Sequence, residues 1–162
     1  MASTNPEQQC TLECTVVDKE LIDILKEELK INIDLEVVYK SNIGWFTDKS
    51  ISPSLLDEWQ IDDKFGIYFL WHKADYCNTH ELYLMDCLYI GKGNILNRIK
   101  NHYENKDFKD YGLIYFTYFE IINRHAKYIE QLHLDFYDIP YNKQEKKGEK
   151  KLRIFLTQIE VD

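Results

Sequence analysis

The sequence predicts an α/β chain of the α+β kind: a small antiparallel or mixed sheet flanked by helices, with an N-terminal β-α-β extension. Three observations predict it. Two apolar runs, FGIYFLW (residues 65–71) and CLYI (residues 87–90), have the length and the aromatic, β-branched make-up of strands. The second run leads into a helical pattern, and another strand-helix pair follows. Upstream, Cys10, Leu12, Cys14 and Val16 alternate with polar residues, and Ile31, Ile33, Leu35, Val37 and Tyr39 do the same over nine residues.

Taken in order, residues 1–8 read as a disordered tail and residues 10–16 as a strand. Asp18 is placed to cap a helix carrying Leu21, Ile24, Leu25 and Leu29 at helical spacing. Residues 31–39 read as the second strand of the extension. Residues 41–63, with Ser-Asn, Ser-Pro-Ser and an apolar cluster of Leu55, Leu56 and Trp59, read as a connection with one short helix. The texture then changes. Residues 65–71 form a strand apolar on both faces, residues 72–86 a polar-rich connection, and residues 87–90 its hairpin partner. A Gly-Lys-Gly turn follows, and Asn94 caps a helix through about Asn105. Residues 112–122 form a third strand, and Asn123 caps a helix that ends before Pro140. Residues 143–151 (KQEKKGEKK) are a charged loop, and residues 152–161 the last strand.

The 162 residues fit one domain, or one domain with an elaborated end. The net charge of −8 is uneven: residues 1–65 hold 6 Lys and 14 acids, while the remainder balances at 14 and 14. This step divides the chain into an acidic extension (1–62) and a second domain (63–162). The acidic part works against phosphate binding, which depends on Lys and Arg. It reads either as a solvated face or as a regulatory element. The first twenty residues carry no apolar run, and no stretch reaches the ~18 residues a membrane span needs. A cytoplasmic chain with no membrane partner is expected. The four cysteines form no CxxC pair, so free thiols are expected rather than a disulfide framework. His72, Cys77, His80 and Cys87 match no familiar zinc spacing.

The chemistry centres on two helices. Arg98 and His102 are four apart and share a face. The chain has three arginines against seventeen lysines, so an Arg here suits a fixed fork of donors for phosphate oxygens, or else a solvated surface. On the later helix Glu130 lies on a largely apolar face between Ala126 and Leu134. Such a carboxylate is either a hard oxygen ligand for Mg²⁺ or part of a buried ion pair, with Lys92 or Arg98 as partner.

GIY at residues 66–68 and YIG at residues 89–91 are followed by an Arg nine residues after Tyr89, a His one turn later, a Glu on a later helix and an Asn twelve residues beyond it in PYNK. In this ordered set, over about residues 65–145, the chain resembles the GIY-YIG nuclease family. The resemblance implies a metal-dependent endonuclease that hydrolyses phosphodiester bonds with Mg²⁺ or Mn²⁺. DNA is the expected partner and RNA the less expected one, since the sequence carries no RNA-binding motif, and a homodimer or a regulatory protein partner stays open. Position by position, Tyr68 and Tyr89 look like the two active-site tyrosines, and Lys92 like the lysine some members place after YIG. Arg98 looks like the arginine on the scissile phosphate, and His102 stands where members have His or Tyr. Glu130 looks like the single metal-binding carboxylate, and Asn142 like the asparagine that shapes the site. Lys92 and Arg98 are then the nucleic-acid-binding cations.

Phosphodiester hydrolysis needs an in-line nucleophile, neutralised phosphoryl oxygens and help for the leaving oxygen. Tyr68 is the expected base toward water, and a free tyrosine, with a pKa of about 10, needs assistance for that. His102 is expected to accept its proton. The chain departs from the family in the twenty residues between Tyr68 and Tyr89, about ten more than expected. This enlarged hairpin carries Trp71, His72, Tyr76, His80 and Tyr83, which suit either base contacts or local packing. The alternative function is a catalytically silent or partner-inhibited nucleic-acid-binding module of the same fold.

Overall fold

The structure is a computed structural model and describes residues 18–52, 64–142 and 148–157. Its elements run α1 (Lys19–Leu29), α2 (Leu35–Lys40), β1 (Gly44–Phe46), β2 (Phe65–Cys77), β3 (Leu82–Asn94), α3 (Ile95–Glu104), β4 (Ile114–Glu120), α4 (Asn123–Phe136) and β5 (Arg153–Thr157). The five strands form one sheet in the order β1-β4-β2-β3-β5, antiparallel at every junction. Helices flank it, as the α/β expectation required. The expected strand over residues 10–16, the cluster of Leu55, Leu56 and Trp59, and the last residues of the final strand lie outside the described residues. Among the described residues no helix is long and apolar enough to cross a membrane.

The pleat sorts the side chains of β2 into two cores. Ile67, Phe69 and Trp71 join Leu21, Leu25, Leu35, Val38, Tyr39 and the apolar face of α4 on one side of the sheet. Tyr68 and Leu70 join Ile95 and Ile99 of α3 with Phe116 and Tyr118 of β4 on the other. The described part of the acidic segment therefore contributes to the same core as the sheet. Tyr39 ties it down further, since its hydroxyl lies 2.6 Å from Nε2 of the buried His133. The His133 Nδ1 lies 2.7 Å from the Ile129 carbonyl, which only accepts, so Nδ1 carries the proton and Nε2 accepts from Tyr39.

Several expectations are corrected. Residues 31–39 are not a strand. Asp34 accepts from the Glu36 N–H and caps α2, so Leu35, Val38 and Tyr39 share a buried helical face while Val37 is exposed. The alternation was real, but the 1-4-5 spacing and the cap prevailed over it. The connection after α2 contains a strand, β1, paired to the edge of β4. The segment 72–86 is not a loop: β2 and β3 continue their ladder to Cys77 and Leu82, with a short turn between. Trp71 belongs to the core there, fully buried with its indole N–H donating to Thr117 at 2.9 Å. Gly91-Lys92-Gly93 is likewise no turn; these residues pair with Tyr68, Ile67 and Gly66. Asp18 and Asn94 cap their helices as expected, whereas the position before α4 is Ile122 and Asn123 is already helical.

Candidate active site

Tyr68 stands at the centre of β2, with Gly91 across from it on β3 and Tyr118 across from it on β4. The two motif glycines have steric causes. A Cβ on Gly91 would lie 2.5 Å from the Tyr68 ring and hydroxyl, and a Cβ on Gly66 would run into the Phe119 carbonyl of β4. GIY and YIG thus mark two places where the sheet must admit a close neighbour.

Tyr89 shares the Tyr68 face by register, since Leu70 pairs with Tyr89, Phe69 with Ile90 and Tyr68 with Gly91, and an irregularity lies just before it. The register of β2 on β3 shifts between Leu70 and Trp71, which pair with Tyr89 and Cys87 and leave Leu88 unpaired. Met85 and Cys87 pack with the α4-side core, Leu88 and Tyr89 with the α3-side core, and Ile90 with the α4 side again. Tyr89 lies against the rings of Tyr68 (centroids 5.9 Å, stacked) and His102 (4.9 Å), and the bulge adds Leu88 to the same face.

Asn142 holds this stretch. Its side-chain carbonyl accepts from the Ile90 N–H at 2.9 Å and its amide donates to the Ile90 carbonyl at 2.8 Å, while the Tyr141 N–H donates to Leu88. Residues 141 and 142 thus replace a strand neighbour where β5 has ended. Asn142 thus acts on the backbone of β3 one residue from Tyr89.

Helix α3 supplies Arg98 and His102. His102 Nε2 lies 2.9 Å from the Tyr68 hydroxyl, and His102 Nδ1 lies 2.9 Å from a carboxylate oxygen of Asp107. Burial holds His102 below its ordinary range, with Asp107 opposing that effect and Arg98 adding to it. At neutral pH the ring is therefore uncharged. The carboxylate can only accept, so Nδ1–H donates to Asp107 and Nε2 accepts from the Tyr68 O–H. Burial pushes the Tyr68 hydroxyl well above the usual tyrosine range. The adjacent Tyr89 and the Glu130 charge add to this, and Arg98 opposes it. A standing phenolate at Tyr68 is thereby disfavoured, and its proton can leave only as another group takes it.

Arg98 is exposed, with its guanidinium over Gly93. Glu130, only 8% exposed, comes from α4, and its charge is felt at Tyr68. Lys92 is placed differently: the pleat sets it with Ile67 and Ile90, on the face away from Tyr68. The structure thus brings together Tyr68, Tyr89, Arg98 and His102, with Glu130 in electrostatic reach and Asn142 behind Tyr89. Asp107 is a residue that sequence reasoning missed. It lies five residues after His102, beyond the helix end, where face-sharing rules do not apply.

Among the described residues no three His, Cys, Asp or Glu side chains gather into a metal-binding group. Cys77 lies 3.5 Å from His80, but Cys87 is buried in the core, its thiol pushed up by burial, so the four residues do not form a zinc set. A single carboxylate, Glu130, fits a hard cation such as Mg²⁺ or Mn²⁺, because Mg²⁺ retains several waters and asks few protein ligands. No protein-family model, curated protein or solved structure matches the chain.

Proposed function

We propose that this chain is a metal-dependent endonuclease of the GIY-YIG kind that hydrolyses phosphodiester bonds of DNA. The observation that carries this reading is the 2.9 Å hydrogen bond from Tyr68 to His102, made where Arg98 and Glu130 also act on the Tyr68 hydroxyl. Three elements, β2, α3 and α4, contribute these groups, in the order in which the family motif sets them out. Such a cluster suits proton abstraction beside a doubly charged phosphoryl centre.

In this mechanism the Tyr68 oxygen takes a proton from the attacking water as its own proton passes to His102 Nε2. That coupling removes the need for a free phenolate, which burial penalises. Tyr89 stacks beside Tyr68 and orients its hydroxyl. Arg98, exposed at the mouth, pairs with the non-bridging oxygens. Glu130 would hold the metal, which supplies polarisation of the phosphate and stabilisation of the leaving oxygen. Lys92, on the other face, would reach the nucleic-acid backbone further from the scissile bond. An intracellular protein is the setting we infer.

A second reading has its own observation. Tyr68 is 1% exposed. A site this closed suits a chain whose activity is held back until a partner binds. Incubating the whole chain with supercoiled plasmid, single-stranded DNA and RNA, in Mg²⁺ and in EDTA, separates these. Metal-dependent nicking of the plasmid supports the endonuclease. Intact substrates in every case favour the silent or inhibited module.

A further inference from the structure

We propose that Asp107 is a positioning residue for the proton relay, holding His102 in the tautomer whose Nε2 accepts from Tyr68. The proposal rests on the nuclease reading above and adds a third member to its relay.

The placement follows from how α3 ends. His102 lies in its last turn, and the chain folds back so that the Asp107 N–H donates to the His102 carbonyl at 3.2 Å. That return sets the carboxylate 2.9 Å from Nδ1. The ring is also fixed laterally, with Tyr89 at 4.9 Å and Phe108 at 5.7 Å between centroids. A neutral imidazole has one N–H. With that proton directed at Asp107, the other nitrogen must present a lone pair to Tyr68. The opposite tautomer would point an N–H at the tyrosine hydroxyl, and Nε2 could not take the Tyr68 proton.

The step balances without a further reactant. Water gives a proton to the Tyr68 oxygen, the Tyr68 proton moves to Nε2, and His102 becomes an imidazolium. Asp107 stays ionised and keeps its hydrogen bond, stabilising that cation while it lasts. The imidazolium then returns its proton to solvent. The groups facing His102 are Tyr68 from β2, Tyr89 from β3, Arg98 from its own helix and Asp107 from the turn. Of these, Asp107 alone carries the charge that favours the imidazolium.

The first experiment needs no activity. In the ¹⁵N-labelled full chain without metal, at pH 7.5, His102 is expected to show a protonated Nδ1 and an unprotonated Nε2. Asp107→Ala should bring in the other tautomer and lower the His102 pKa, and Asp107→Glu should restore the original. In plasmid cleavage by the metal-loaded chain, Asp107→Ala should lower kcat by about tenfold to a hundredfold with KM within about twofold, and Asp107→Glu should recover part of it. An Nε2-protonated His102 in the unsubstituted chain overturns the proposal. So does an Asp107→Ala variant that keeps the tautomer or cuts at nearly the original rate. If the unsubstituted chain cuts nothing, the nuclease reading fails by itself, and the tautomer result still decides what Asp107 does to His102.

Discussion

In the proposed nuclease, Gly91 and His102 are where single atoms decide the chemistry. A methyl group on Gly91 meets the Tyr68 ring 2.5 Å away, and the ring of Tyr68 is wedged in a filled core. Gly91→Ala should therefore move Tyr68 off His102, destabilise the fold by about 1–3 kcal/mol, and lower cleavage more than that loss explains; urea denaturation and a cleavage assay on the folded fraction check both. In the proposed mechanism His102 carries the pH dependence. Its folded pKa lies below the ordinary 6.5 because it is buried, so the neutral, accepting form persists below that pH. Cleavage should fall on its acid side only below pH 6.5, and His102→Phe should cut the rate strongly near neutrality and remove that acid limb. A pH-rate profile of both proteins tests it; an unchanged rate in His102→Phe would sink the relay. Much of this was legible in the order of Tyr68, Tyr89, Arg98, His102 and Glu130 along the chain. Asp107 was not, because its approach to His102 depends on a turn beyond the helix end.

At the scale of elements, β3 does most of the positioning, and Asn142 is its support. Asn142→Ala leaves the Ile90 N–H and carbonyl without their partners in a buried strand. The expected cost is about 2–4 kcal/mol, with a loss of Tyr89 alignment; thermal denaturation and cleavage measured together check it, and an unaltered midpoint would contradict the strand-neighbour role. Helix α4 and α2 are joined through His133 and Tyr39, with a second consequence. Burial lowers the His133 pKa from 6.5 to about 4. A depressed histidine pKa means the unfolded chain binds the extra proton first, so this stability is full above pH 6.5 and is lost as pH falls toward 4, by about 3 kcal/mol in all. Urea titrations from pH 7.5 to 4.5 should show a steeper fall for the original chain than for His133→Gln. After residue 64 the strand cores at 65–71, 87–90 and 114–120 and the two helices were readable from periodicity and from caps such as Asn94, whereas the continuation of β2 and β3 through 72–86 and 91–94 was not. The bulge at Leu88, the helix over Leu35–Lys40 and the short β1 were not. The bulge and β1 depend on what lies against them, the 141–142 backbone with Asn142 and the open edge of β4, whereas the helix had its cap at Asp34 in the sequence, outweighed there by the alternation of residues 31–39.

Across the whole molecule, the sheet separates two cores, with α3, which carries Arg98 and His102, packed on one side and α4, which carries Glu130, on the other, so the proposed site draws on both. The segment before residue 64 is part of that construction. Leu21, Leu25, Leu35, Val38 and Tyr39 are all buried in the core shared with β2 and α4. A chain beginning at residue 63 should therefore expose that face and lose its cooperative unfolding transition, which calorimetry would show as a missing heat-absorption peak. A charge step in the sequence is compatible with a shared core, because charge reports on surface and not on packing. The central claim is that these layers converge on a one-metal phosphodiesterase site, and parallel nicking of supercoiled plasmid in Mg²⁺ by the whole chain and by a folded Glu130→Ala variant tests it most directly. Nicking by the first, abolished by EDTA and absent from the second, is expected; equal nicking by both, or none by the folded original chain, would contradict it.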